Sequence, residues 1–409
     1  GSVDKQRSRF HGLAVGVPGT VKGLITALRL YGSMPLQQVM LPAIRLAEQG
    51  FVVSRDLQLS LTQSQQRLKR WQAAQQVFYH ADGSAYQSGE ILVQADLART
   101  LKNIAQFGEQ GFYQGPVARQ IVDAVNQVDG DMTLADLAAY QVRIRQPVVG
   151  SYRGYRIASM PPPSSGGTHI IQILNVMEQY DLRAAGHNSA MSIHLMAEAM
   201  KQAYADRSEY LGDPDYVEVP VAELTAKPYA ADIAGRIHPA LARDSAKIKP
   251  GLETNDESPQ TTHFSVVDRW GNAVSNTYTL NFSYGSGLMA AGTGVLLNNE
   301  MDDFSAKPGV ANAYGLIGGE ANAIEGGKRP LSSMSPTIVF RADSDEVLLV
   351  TGSPGGSRII TTTLQLISNV IDHAMNIAEA TYAPRFHHQW LPDKLTVEKG
   401  FSADTLRLL

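Results

Sequence analysis

The sequence predicts an α+β fold in which layers of sheet are covered by helices. Three observations carry that reading. Apolar residues recur at helical spacing through most of the first half, the period changes to strand character near residue 147, and strand-like runs dominate from residue 261 onward. No internal repeat or low-complexity tract breaks this order, so the 409 residues read as one large layered fold or about two to three average domains.

Each element has its own local warrant. Residues 20–31 carry apolar side chains at helical spacing and stop at Gly32. Pro35 and Pro42 each mark a place where a short helix can begin, and Gly50 closes the second. The pattern continues over 58–75, 94–107 and 117–128, and Thr133 precedes Leu134-Ala135-Asp136-Leu137 as an N-cap. Residues 147–157 are β-branched and aromatic around Gly150 and Gly154, which predicts a hairpin. Met160-Pro161-Pro162-Pro163-Ser164-Ser165-Gly166-Gly167 then forms a rigid turn into a helix over 168–180. A second helix over 190–208 precedes the loop Gly212-Asp213-Pro214-Asp215. The polar 240–260 stretch has no strong period and reads as an exposed, cleavable linker. Beyond it, 262–267 and 273–280 flank Asp268-Arg269-Trp270-Gly271-Asn272 as a hairpin, 336–341 and 347–352 form a second strand pair, and 359–375 reads as a long buried helix.

Composition excludes several classes of function. A hydrophobic content of 44% and a charged content of 18% are ordinary for a globular protein with a sizeable core. A net charge of −4, with no block of Lys or Arg, gives no reason to expect nucleic acid. The absence of cysteine removes disulfides, thiol nucleophiles and thiolate metal sites together. No apolar run approaches the ~18 residues of a membrane span. Gly1-Ser2-Val3-Asp4-Lys5 is polar, Gly1-Ser2 looks like a scar of tag removal, and Thr405-Leu406-Arg407-Leu408-Leu409 reads as a helix in progress. The chain therefore reads as a fragment.

The stretch with most chemical content is Thr261-Thr262-His263-Phe264-Ser265-Val266-Val267-Asp268. A threonine hydroxyl is a poor nucleophile without a base beside it. Cutting the chain between Gln260 and Thr261 would supply one, since a new α-amino group titrates at roughly pH 7.7–8.0. The same pair also fits as ordinary β-branched residues entering a pleat.

Four further clusters have unusual residue choices. Thr277-Tyr278-Thr279-Leu280-Asn281 places two hydroxyls and an amide on alternate positions, either a polar outer face or a row aimed at Thr261. Asn298-Asn299-Glu300-Met301-Asp302-Asp303 is either a solvated turn or a holder for a substrate ammonium, with a metal less favoured because histidines are remote. Lys328-Arg329-Pro330-Leu331-Ser332-Ser333 sets paired serines beside two cations, suited to a carboxylate or simply to a turn. Thr351-Gly352-Ser353-Pro354-Gly355-Gly356-Ser357 lies between a strand and a helix, where backbone N–H groups can face a developing oxyanion. His387-His388 have no acidic partner at triad spacing, and no Gly-x-Ser-x-Gly elbow exists.

In this order, the clusters resemble those of the bacterial γ-glutamyltranspeptidases (glutathione hydrolases). The resemblance runs from Val15-Gly16-Val17-Pro18-Gly19-Thr20 to the end. It takes in Met160 to Gly167, Tyr204-Ala205-Asp206-Arg207, Thr261-Thr262-His263, residues 298–304, Leu331-Ser332-Ser333-Met334-Ser335-Pro336 and Gly352-Ser353-Pro354-Gly355-Gly356. It implies an N-terminal-nucleophile hydrolase fold, a four-layer αββα sandwich, here truncated at both ends. Residues 1–260 would be the C-terminal part of a large subunit, mostly helical with strands near 147–160. Residues 261–409 would be the N-terminal part of a small subunit that stays associated after autocleavage.

Carried onto matching positions, the resemblance makes Thr261 the nucleophile, its freed α-amine the general base, and Thr279 the residue that orients the hydroxyl. Asn281, Glu300 and Asp303 would bind the amino-acid end of a γ-glutamyl group, with the two acids on its ammonium. Ser332 and Ser333 would hold its α-carboxylate, and the N–H groups of Gly355 and Gly356 would form the oxyanion hole. Residues 308–322 match a lid loop gated by Tyr314. The implied substrates are glutathione or other γ-glutamyl compounds, with water, amino acids or peptides as acceptors; no cofactor or metal is implied, and the expected location is the periplasm. Same-class alternatives are acylases of glutaryl or poly-γ-glutamyl groups, and a different one is an unprocessed, non-catalytic binding protein. Two departures stand out. The family's N-terminal Phe-Arg-Glu segment, whose arginine meets the substrate α-carboxylate, is absent, an interaction of roughly 1.5–3 kcal/mol. The family's small subunit also continues past Leu409, and missing strands would expose a sheet edge.

Overall fold

The computed structural model describes residues 6–248, 261–305, 318–342 and 344–409. Its chain divides into two compact units, one of Gly1–Ile144 with Leu280–Asp302 and one of Arg145–Thr279 with Asp303–Leu409. Each unit therefore contains chain from both sides of Thr261.

The first unit is built on helices α1 (Thr20–Tyr31), α2 (Leu36–Gln49), α3 (Ala95–Phe107), α4 (Gly115–Asn126) and α5 (Leu134–Ala139). Pro42 lies inside α2 instead of opening a helix of its own. Its fixed φ suits the helix, and the stripe that buries Ile44 and Ala47 carries the helix through the missing N–H. The single helix expected over 58–75 is broken into Arg55–Gln63, Gln65–Leu68 and Gln72–Phe78, with Trp71 extended between the last two. Thr133 caps α5 as its sequence predicts, in a reciprocal box with Asp136. The core of this unit joins Ala118, Ile121 and Leu137 to Leu288, Ala290 and Leu297 from the returning segment. Thr100 Oγ1 also donates to the Thr293 carbonyl at 2.8 Å.

The second unit centres on a four-stranded sheet. Its elements are β1 (Val148–Tyr152), β2 (Tyr155–Ser159), α6 (Gly166–Met177), α7 (Ala190–Tyr210), β3 (Thr262–Val267), β4 (Ala273–Tyr278), β5 (Thr337–Phe340), β6 (Val347–Thr351) and α8 (Arg358–Ile371). The strand order is β6-β5-β2-β1, with every neighbour antiparallel. Ser159 faces Thr337 across β2 and β5, and Thr337 faces Thr351 across β5 and β6. The loop before β5 and the loop after β6 therefore leave the same end of the sheet.

Alternation decides which face of the sheet is covered. Val148 and Tyr152 are buried while Val149 is exposed, and Gly150 lies against Ile171 of α6, where a Cβ would sit 2.5 Å away. Tyr152 donates its hydroxyl to Asp372 Oδ2 at 2.7 Å, just past the end of α8. The β3–β4 hairpin is tied to the sheet through Ser275, whose Oγ donates to the Thr351 carbonyl at 2.9 Å and accepts from the Thr337 N–H at 3.0 Å. Strand β4 ends at Tyr278, two residues earlier than expected, and Asn281 takes a left-handed φ of 69°. The alternating face expected to run on to Asn281 is therefore broken, because the chain leaves for the first unit at Leu280.

Glycine at the start of α6 is a packing requirement. A Cβ at Gly166 would lie 2.3 Å from Ser335 Oγ and 2.6 Å from the Met334 carbonyl oxygen, whereas one at Gly23 in α1 would meet nothing within 4 Å. Gly166→Ala is expected to destabilise the fold by about 1–3 kcal/mol through overpacking, and Gly23→Ala to stabilise it by about 0.5–1 kcal/mol through helix propensity. Urea titration of the two variants checks both signs; equal midpoints would contradict the contact at Gly166.

Candidate active site

Three loops of the second unit carry most of the predicted site residues. Thr261 is half-buried and stands immediately before β3. The register of the hairpin ends at the pair Thr262–Tyr278, and Thr261 and Thr279 are the residues next to that pair on either strand. Two residues along, the His263 ring packs on Gly352 so closely that a Cβ there would lie 2.3 Å from it. His263 Nδ1 also meets Thr277 Oγ1 at 2.8 Å, which absorbs the hydroxyl that the sequence left open to a role beside Thr261. Through this contact the hairpin adjoins the glycine loop after β6. Gly355 and Gly356 there have φ of 132° and 56°, conformations that an L side chain resists, and Ser357 follows as the cap residue of α8.

The Ser332–Ser333 loop is held by a clasp that explains the Pro-Pro-Pro-Ser-Ser-Gly-Gly motif. Ser165 N–H donates to the Ser332 carbonyl and Ser332 N–H to the Pro163 carbonyl, both at 2.9 Å. Ser164 Oγ adds a bond to the Met334 carbonyl at 2.6 Å, and Ser165 Oγ one to the Ser332 carbonyl at 2.9 Å. Beneath the clasp lies Arg207, buried in α7, whose Nε donates to Ser165 Oγ at 3.0 Å and whose Nη2 donates to Ser333 Oγ at 3.4 Å. Burial pulls its pKa down to about 10, against the influence of Tyr204 and Asp303, so it stays charged at neutral pH. Tyr204, one turn earlier, donates to the Ser357 carbonyl. Asp206 anchors the same turn by accepting from Gln172, Gln202 and Tyr229.

Asp303 is tied to this neighbourhood by Asn322. Its Nδ2 donates to the Asp303 carbonyl at 2.8 Å and its Oδ1 accepts from the Leu331 N–H at 2.9 Å, directly before the paired serines. The polar run 298–303 is thus no solvated turn. In the first unit, Asn298 clasps the backbone of Gly16, accepting at 2.9 Å and donating at 2.8 Å. Asn299 accepts from the Phe282 N–H, and the buried Asn281 donates to the Asn299 carbonyl at 2.9 Å. Glu300 has one carboxylate oxygen, Oε1, shielded from water with no hydrogen-bond partner among the described residues. Burial pushes its pKa up to about 7, although the Asn281 N–H opposes the shift.

The remaining expectations divide. Gln260, Tyr314, and most of the 308–322 lid lie outside the described residues; the end of that lid is held where Gly319 N–H donates to the Ser208 carbonyl at 2.8 Å. The two cations beside the serines in sequence turn elsewhere: Arg329 pairs with Asp215 and Lys328 sits over the Tyr216 ring. His388 does have an acidic partner, Asp393 at 3.1 Å, but burial draws its pKa down to about 4 and keeps it neutral. Arg207, Asn322, Ser164 and Ser165 had no role assigned from sequence. Arg207 was singled out only within the motif Tyr204-Ala205-Asp206-Arg207, and its burial in α7 is what the structure adds.

The Gamma-glutamyltranspeptidase family profile matches residues 2–409. The chain is 54% identical over 410 residues to a glutathione hydrolase proenzyme of Escherichia coli (strain K12), covering all of this chain and 70% of that protein. It resembles the crystal structure of Helicobacter pylori gamma-glutamyltranspeptidase at 47% identity with a TM-score of 0.59, over 63% of this chain and 73% of that one. It resembles cephalosporin acylase from Bacillus halodurans at 26% identity with a TM-score of 0.81, over 96% and 69% of the respective chains. The α+β class and N-terminal-nucleophile hydrolase fold expected from the sequence are those of these structures, and a proenzyme relative implies a precursor cut into two subunits. No helix among the described residues is long and apolar enough to cross a membrane. The chain belongs to the gamma-glutamyltranspeptidase family and is an enzyme of that kind.

Proposed function

We propose that the chain cleaves itself between Gln260 and Thr261, and that Thr261 then carries the γ-glutamyl group of glutathione-like substrates. The α-amine of Thr261 takes the proton from its hydroxyl as the oxygen attacks the γ-carbonyl. Negative charge collects on that carbonyl oxygen, where the Gly355 and Gly356 N–H groups meet it. Collapse breaks the γ-amide bond, the leaving amine takes the proton, and an ester remains on Thr261. Water or an acceptor amine then attacks the ester in the reverse sense. Thr279 orients the hydroxyl. The cut leaves residues 1–260 and 261–409 in separate chains. The enzyme works in the periplasm.

The observation that carries this reading is the hydrogen-bond state of the paired serines. Ser332 Oγ accepts from the Met334 N–H at 3.1 Å and Ser333 Oγ accepts from Arg207, so neither hydroxyl has spent its proton on a described partner. Two O–H donors beside a buried guanidinium suit a carboxylate, and Asp303 is tied to the same loop. We assign the ammonium of the γ-glutamyl head to Glu300, Asn281 and Asp303. An acylase reading has one observation in its favour, the likeness to cephalosporin acylase. The buried Glu300 argues against it, because a glutaryl group would bring no ammonium to that carboxylate.

Three outcomes are expected. Incubated at neutral pH, the parent should give two species by intact mass, one beginning at Thr261, while Thr261→Ala stays single near 44.3 kDa; cleavage of the variant would rule out self-processing by Thr261. Turnover of γ-glutamyl anilide should exceed that of glutaryl anilide by at least about tenfold, and the reverse order would favour the acylase. For pH, both the α-amine, at roughly pH 7.7–8.0, and Glu300, at about 7, must lose a proton, so activity rises with pH. Below both values, log kcat/KM should climb with a slope of about 2 in the parent and about 1 in Glu300→Gln. Identical slopes would remove Glu300 from the ammonium site.

A further inference from the structure

A buried guanidinium without a carboxylate is costly, because desolvation of the charge is not repaid. Arg207 comes near that position: it is 4% exposed, its hydrogen-bond partners among the described residues are the hydroxyls of Ser165 and Ser333, and the charge of Asp303 acts on it without a described hydrogen bond or ion pair. The adjacent Asp206 is spent on Gln172, Gln202 and Tyr229. A guanidinium has five donors and no acceptor. A hydroxyl that receives one of its N–H groups cannot donate back, so its own proton must go elsewhere.

This fixes the direction of every hydrogen bond in the clasp. Ser165 Oγ receives the Arg207 Nε–H at 3.0 Å and passes its proton to the Ser332 carbonyl at 2.9 Å. Ser333 Oγ receives the Nη2–H at 3.4 Å and has no described acceptor for its proton. The Met334 N–H does the same for Ser332 at 3.1 Å. The loop is thereby left with two hydroxyl donors turned over to a ligand and a positive charge directly behind one of them.

We propose that Arg207 is a positioning residue for carboxylate recognition, which holds Ser333 as an obligatory donor and places a fixed charge behind the anion that Ser332 and Ser333 receive. This rests on the reading that these serines take the α-carboxylate of the γ-glutamyl group. The ligand chemistry is a carboxylate next to an ammonium, and the discrimination is against the same acyl group without the carboxylate. Arg207 touches no reacting atom, so its loss should appear in KM and in selectivity more than in kcat.

The test compares γ-glutamyl anilide with 4-aminobutanoyl anilide, which differs by the missing α-carboxylate, on the processed enzyme. Arg207→Gln is expected to lower the γ-glutamyl over 4-aminobutanoyl ratio of kcat/KM by about tenfold or more, chiefly through KM. Arg207→Lys, which keeps the charge but cannot serve both hydroxyls, should give an intermediate loss. Ser333→Ala should lose selectivity too, and combining it with Arg207→Gln should add little, since both act through one hydroxyl. Selectivity lost in Ser333→Ala but retained in both Arg207 variants would overturn the inference and leave the carboxylate reading standing. Retention in all of them would remove the carboxylate reading itself. Should Arg207→Gln fail to fold, Arg207→Lys alone decides: an unchanged ratio, or equal loss on both substrates with a lowered Tm, assigns Arg207 to structure only.

Discussion

The structure of the candidate site depends on the pairing of β2 with β5. These strands come from opposite sides of Thr261, and the side chains of Ser159 and Thr337 meet across them at 2.8 Å although 178 residues separate them in sequence. The pairing closes a very long loop, whose entropic cost the buried sheet and α6 must offset. Once made, it sets the loop before β5 beside the turn before α6 and beside the exit of β6. The hairpin that begins after Thr261, the glycine loop and the paired serines all take their positions from that end of the sheet. The first unit repeats the principle, with Leu288, Ala290 and Leu297 packed among residues of α4 and α5. A chain cut before Thr261 would therefore remain held in both units by a sheet and by a core.

Helix α7 then supplies the chemistry around this frame within a single turn. Tyr204 holds the end of the glycine loop, Asp206 ties the helix to its neighbours, and Arg207 holds the serines. Tyr204 and Asp206 are buried with partners of the complementary kind, which is the condition for polar groups to specify a core without weakening it. Glu300 in the first unit is the contrast. One of its oxygens is shielded without a hydrogen-bond partner among the described residues, and its charge is disfavoured by burial.

Much of this was legible in the sequence, and the failures have physical causes. Periodicity located α1, the β1–β2 hairpin and the β5–β6 pair within a residue or two, the strands because they bury alternate residues. It failed at Pro42, where tertiary burial carried a helix past a proline, and at Leu280, where a strand stops because the chain changes unit. Motif chemistry singled out the serines and the glycines but not the buried cation behind the serines. Lys328 and Arg329 are near in sequence and turn away, while Arg207 arrives from a helix that precedes the linker. Proximity through a fold that joins distant segments leaves no local trace. Asn322 was hidden for the same reason: its two bonds reach backbone groups of two different loops.

The claim on which all of this chemistry rests is that Thr261, with a free α-amine, is the residue acylated. The most direct measurement is covalent capture with an electrophilic diazoketone analogue of the γ-glutamyl group, followed by peptide mapping. One adduct is predicted, on the peptide that begins at Thr261, and excess γ-glutamyl substrate should suppress it. An adduct on any other side chain, or on a Thr261 still joined to Gln260, would contradict the account.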